Sequence, residues 1–174
     1  KADTYGLSVT HALATALASC DVTVVSGAAL GIDQEAHRAV LDVGGKTIAV
    51  LGTGLLGEKS DAKNELLNQI SENGAVISEY LIGARGAPWT FPMRNIIIAK
   101  IADLTVVTQA PVKSGALGTA KAARDAGLPV YAVPGDVVHE LSRGTNQLIA
   151  QGLALLLSRP GDLKAVLEVN GLEH

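Results

Sequence analysis

Cysteine occurs once in the 174 residues, as Cys20. That excludes a disulfide scaffold and a multi-cysteine metal site, and the expected compartment is the reducing cytoplasm. Aromatic residues make up only 3%, namely Tyr5, Tyr80, Trp89, Phe91 and Tyr131. The core must therefore be assembled from Ala, Val, Leu and Ile. No apolar run approaches the roughly 18 residues of a membrane span, so no membrane partner is expected. Positive charge is not in excess either: 14 Lys and Arg stand against 17 Asp and Glu, for a net charge of −3. A broad basic face, the usual advertisement of nucleic-acid binding, is thus excluded. Walker A, GxSxG and paired-carboxylate motifs are missing. His11, His37 and His139 lie on different segments without metal-ligand spacing. No catalytic residue, metal or cofactor is assigned, and the chain is not expected to be an enzyme.

What is present is apolar and regular. Hydrophobic residues reach 48% and charged residues only 18%, a balance that rules out intrinsic disorder. The length predicts one domain, placed at residues 1–171. Residues 172–174 (Leu-Glu-His) look like the start of a vector-encoded histidine tag. The polar start, Lys1 to Thr4, is followed by no apolar stretch of the kind a secretory signal needs. Short β-rich runs fall at 22–26, 47–51, 75–78, 104–108 and 130–133. Helical stretches fall at about 7–19, 32–43, 62–73, 94–102, 117–126 and 144–151. Continuous apolar strands alternating with helices predict an α/β, doubly wound, mostly parallel sheet buried on both faces. In such folds ligands sit beyond the carboxyl ends of the strands.

The segments just after the strands carry the chemistry. After the first comes Ser26-Gly27-Ala28-Ala29-Leu30-Gly31-Ile32-Asp33, a small-residue turn opening a helix. Its free N–H groups are suited to a phosphate, although a tightly packed βα turn has the same composition. After the fourth run comes Lys113-Ser114-Gly115-Ala116-Leu117-Gly118-Thr119, a second such loop with a cation at its entrance. Lys113 also reads as an ordinary surface lysine, and Thr119 as a hydroxyl capping its own backbone. Between them lies Trp89-Thr90-Phe91-Pro92-Met93-Arg94-Asn95, read as a loop leading into a helix, with Pro92 in its first turn. An aromatic face near Arg94 suits base stacking, with the guanidinium on a phosphate or a ring. The alternative is that Trp89 and Phe91 plug the sheet edge and Arg94 pairs with a carboxylate. Asp33 reads as a base or as a plain partner of the helix dipole. After the fifth run, Thr145 or Asn146 is placed to cap a helix.

Taken together these segments resemble the DNA-processing protein A family (DprA, also called Smf). The resemblance rests on Ser26 to Asp33, Ala36-His37, Thr47 to Gly54, Ser78-Glu79, Phe91 to Asn95, Lys113 to Ala120 and Val130 to Gly135, in order, from about residue 4 to residue 157. It implies an extended Rossmann-like domain that binds single-stranded DNA without sequence preference. Such proteins protect incoming strands in natural transformation, assist loading of the RecA recombinase, and typically dimerise through this domain. On that reading Ser26, Gly27 and Gly31 present backbone amides to phosphate. Phe91, Arg94, Asn95, Lys113, Ser114, Gly115 and Thr119 complete the pocket.

The chain departs from the family pattern at several places. Ile96 stands where a further arginine is usual, Lys113 where arginine is usual, and Ala116 and Gly118 replace a serine and a bulkier residue. Gly57-Glu58-Lys59-Ser60-Asp61 stands where a tyrosine–proline pair is expected. The family's first strand, with its Gly-Ser/Thr-Arg loop, is expected before Tyr5-Gly6, so the sheet is expected to lack a central strand. A small-nucleotide sensor, or an enzyme resembling the cytokinin-activating phosphoribohydrolases, is the competing reading. In the latter, a glutamate is required where Ala122 stands.

Overall fold

The alternation of β-rich runs and helical stretches is realised in the computed structural model, which describes residues 2–57 and 61–172. The order is α1 (Thr4–Ser19), β1 (Val24–Ser26), α2 (Ile32–Asp42), β2 (Thr47–Val50), α3 (Asp61–Glu72), β3 (Gly74–Ile77) and α4 (Thr90–Ile101). It continues with β4 (Thr105–Val107), α5 (Gly115–Asp125), β5 (Val130–Ala132), α6 (Arg143–Ala150), β6 (Leu155–Leu156) and α7 (Leu163–Val169). The region of the expected tyrosine–proline pair, 57–61, includes residues 58–60, and the suspected tag, 172–174, includes residues 173–174; these five residues lie outside the described ones.

Every strand pairing is parallel, as the buried apolar runs require. The strands nevertheless form two sheets, β1-β2-β3 and β4-β5-β6, not one. Val24 and Gly74 both lie beside Thr47 in the first sheet. Tyr131 lies between Val106 and Leu155 in the second. Among the described residues β1 and β4 each pair on one side only, and both line the same cavity. Among the described residues no strand lies between them to carry the ladder across.

The second sheet shows how an aromatic-poor sequence closes a core. Along β5 the side chains alternate between faces. Val130 and Ala132 pack with Ala99, Ala120, Ala123 and Leu148 of α4, α5 and α6. Tyr131 instead packs with Leu13 of α1 and Leu163 of α7. Alanine supplies the close approach elsewhere as well: Ala14 of α1 meets Ala36, Ala39 and Val40 of α2. The β6 strand and α7 are additions to the sequence reading. Helix α4 also starts at Thr90, so Phe91 belongs to its first turn and not to a preceding loop. Thr145 and Asn146 do not cap α6. Thr145 Oγ1 donates back to Ser142 O at 3.0 Å, while Asn146 bonds both Gly135 N and Gly135 O at 3.0 Å and pins the loop after β5.

Candidate functional site

Strands β1 and β4 along their whole length, with the segments just after them and α1, α2, α4 and α5 around them, line a cavity of about 620 Å³. That volume is within the range of pockets that hold nucleotide-sized groups. Ser26, Phe91, Arg94, Asn95, Lys113, Ser114, Gly115 and Thr119 all line it, although they come from three separate stretches of sequence. Gly27 and Gly31 are not in the lining. Gly27 is buried beneath it, and Gly31 precedes α2 with φ of 104°. Only glycine holds that backbone conformation without strain. Of the loop cations, Arg94 and Lys113 reach the cavity, whereas Arg85 and Arg143 do not line it.

The two small-residue loops differ in what they leave free. The α2 end carries Asp33 and Glu35 in its first turn. Asp33 Oδ2 accepts from Ala29 N at 3.2 Å, so a carboxylate of the chain itself already takes an amide of the Ser26–Gly31 turn. Ala28 in that turn is fully buried with φ of 54°, a left-handed conformation uncommon for alanine. The α5 end has no acidic residue in its first turn. Ser114 caps it, accepting from Ala116 N at 3.3 Å, and exposed Lys113 stands beside it. Helix dipole and lysine therefore act in the same direction at α5, and an anion is better accommodated there than at α2. Replacing Ser114 by alanine is expected to destabilise the protein by about 1 kcal/mol, read as a lower urea midpoint with unchanged slope.

Arg94 lines the cavity and donates to backbone carbonyls. Its residue is only 5% exposed, and its guanidinium turns inward. Nη1 donates to Gly27 O and, at 2.6 Å, to Val50 O, the carbonyls where β1 and β2 end. Nε donates to Asn95 Oδ1 at 3.0 Å, and Asn95 Nδ2 in turn donates to Gly115 O at 3.2 Å. Arg94 thus ties α4 to both strand ends, and Asn95 ties α4 to the start of α5. A Cβ on Gly27 would stand 2.0 Å from Arg94 Nη1, so a glycine there makes room for the guanidinium. Phe91, 42% exposed, lies against Gly52 and Gly86, where an added Cβ would approach its ring to 2.8 and 3.1 Å.

Several polar groups escaped the sequence reading. Buried Thr10 donates to Thr108 Oγ1 at 2.9 Å, and both line the cavity. Gln109, also in the lining, donates to Asp3 Oδ1 at 2.8 Å. Asp3 caps α1 by accepting from Gly6 N at 2.8 Å, and that bond leads the effects that lower its carboxyl below the usual range. His37 of α2 is fully buried. Thr47 Oγ1 donates to Val24 O and so accepts from His37 Nδ1, both at 2.7 Å, which places the ring proton on Nδ1 by inference from the network. Nε2 is then a bare acceptor, buried without a hydrogen-bond partner among the described residues. Burial first, and the charge of Arg94 second, push His37 down from 6.5 to about 4. No His, Cys, Asp and Glu cluster able to hold a metal occurs among the described residues. Nor is any described helix long and apolar enough to cross a membrane.

The sequence pattern of the DNA recombination-mediator protein A family matches residues 1–168. The chain belongs to that family. DNA processing protein DprA of Streptococcus pneumoniae is 41% identical over 138 residues, covering 79% of this chain and 49% of that protein. The X-ray structure of DprA from the same species superposes with a TM-score of 0.84 at 37% identity, over 94% of this chain and 57% of that one. A Helicobacter pylori DNA processing protein A structure, described for its single-stranded DNA binding mode, superposes with a TM-score of 0.87 at 27% identity. That superposition covers 99% of this chain and 77% of the other. The chain spans about two fifths to one half of the length of the curated DprA and Smf relatives it matches.

Proposed function

We propose that this member of the DNA recombination-mediator family binds single-stranded DNA without sequence preference. The observation that carries the reading is the near-complete superposition on the H. pylori protein described for that binding. In this reading the backbone phosphates lie at the α5 end, held by Lys113, Ser114, Gly115 and Thr119. Ser26 lines the opposite wall, on a turn that Gly27 and Gly31 shape from outside the lining, Phe91 offers a ring face, and Arg94 with Asn95 fixes the geometry between them. The bound strand is protected and passed to the RecA recombinase during natural transformation and recombination. The protein acts without catalytic turnover, as a homodimer, in the cytoplasm.

Charge sets how tight this binding is. Cationic contacts supply most single-strand affinity. Here Asp33 lies in the same cavity lining as Lys113 and Arg94, and Arg94 is directed at carbonyls. Binding is therefore expected to be modest, with a shallow salt dependence set by few phosphate contacts. Fluorescence anisotropy of a labelled oligothymidine tests this. Saturable binding at low salt, displaced equally by unlabelled oligothymidine and by a mixed-sequence oligonucleotide, is the expected result. A folded chain that leaves the anisotropy unchanged at low salt overturns the proposal. Faster assembly of RecA on the oligonucleotide in the presence of the protein tests the hand-over.

A further inference from the structure

Beside the cavity, outside its lining, stands the chain's one tryptophan. Trp89 is 64% exposed, an unusual position for a large apolar ring in a chain this poor in aromatics. It directly precedes α4, whose first two turns hold Phe91, Arg94 and Asn95, all in the cavity lining. Its mount is rigid. Tyr80 meets the indole edge-on, with centroids 6.0 Å apart and planes at 73°, and Tyr80 Oη donates to Thr90 O at 3.3 Å. Buried Thr90 closes the turn below by accepting from Ala87 N at 3.1 Å and donating to Ala87 O at 2.8 Å. Pro88 and Pro92 bracket the segment and restrict its backbone.

A ring that is ordered before binding loses little entropy when something stacks on it. We propose that Trp89 is a base-stacking residue that extends the single-strand site beyond the cavity, receiving a nucleobase next to the one at Phe91. This rests on the DNA-binding reading above. Its ligand is chosen by continuity: a strand whose phosphates lie at α5 and whose bases face Phe91 reaches the start of α4 next. Stacking on an indole needs no particular base, in keeping with binding that ignores sequence.

Because no second tryptophan exists, red-edge-excited emission reports Trp89 alone. Unlabelled oligothymidine is titrated into the chain while anisotropy of a labelled strand reports overall binding. The expected result is quenching that saturates at the anisotropy midpoint. An abasic deoxyribose-phosphate oligomer should compete for the cavity yet leave the emission unchanged. Trp89→Ala should weaken oligothymidine binding by about tenfold to a hundredfold, with Trp89→Phe recovering most of the loss. Binding by anisotropy with unchanged emission, and a Trp89→Ala variant that binds like the parent, would overturn the stacking role and leave the DNA reading intact. No binding in either channel overturns both. Emission that changes with protein concentration alone assigns the ring to a contact between copies, and also overturns the proposal.

Discussion

Arg94→Ala is expected to destabilise the protein by about 3 kcal/mol and to abolish measurable DNA binding. The first effect follows from the guanidinium's partners. Hydrogen bonds from a charged donor contribute about 1.5–3 kcal/mol each, and removing the donor leaves buried carbonyls unsatisfied. Gly27 O and Val50 O are those carbonyls, at the ends of two neighbouring strands. The second effect follows from geometry. Without the brace, the Ser26–Gly31 turn is no longer tied to α4, and Asn95 loses one of the bonds that orient it toward α5. Arg94→Lys should recover little, since a single ammonium does not reproduce a fork that reaches both carbonyls and Asn95. Urea unfolding checks the first effect as a shift of midpoint at constant slope. An Arg94→Ala midpoint equal to that of the parent would show that the brace carries no stability.

Acid should remove about 3 kcal/mol of stability through one histidine. His37 titrates near 6.5 when unfolded and at about 4 when folded. Between those values the unfolded chain binds more protons than the folded one, so stability rises with pH across that window and is lost as pH falls through it. The lost amount is absent above about pH 7, grows as pH falls toward 4 and is complete about one unit below that. His37→Asn keeps an N–H donor directed at Thr47 and removes the titration. The variant should be less stable than the parent at neutral pH, because a smaller side chain leaves a cavity. Its stability should nevertheless fall much less between neutrality and pH 4. Parallel pH profiles for the two proteins would show that His37 is not the titrating group.

Strands β1 to β5 and helices α1 to α6 were legible because each shows its own period or apolar run. The β6 strand, two exposed leucines long, shows neither, and no secondary structure was read beyond residue 151. The site was legible as a set of loops because strand order brings strand ends together, and eight of the ten chosen residues line one cavity. The direction of individual side chains was not legible. Arg94 follows an aromatic pair and reads as a ligand contact, yet the space left by Gly27, far away in sequence, draws its guanidinium inward. His37 lay on the apolar face of α2, three residues before buried Val40, and that position was the one available sign of a core histidine. Asp33 was recognised as a residue of the helix start, but its bond to Ala29 N depends on a turn whose shape includes a left-handed alanine.

The central claim is that a single strand's phosphate lies at the α5 end beside Lys113. It is tested most directly by the salt dependence of oligothymidine binding in the parent, Lys113→Ala and Lys164→Ala, the last being an exposed lysine of α7 outside the cavity lining. Each phosphate contact on a single strand contributes about 0.7 to the slope of log affinity against log salt. The account predicts that Lys113→Ala lowers the slope by about that amount and weakens binding to oligothymidine and to mixed-sequence strands alike, while Lys164→Ala changes neither. A Lys113→Ala slope equal to the parent's, or an equal drop in Lys164→Ala, would contradict it.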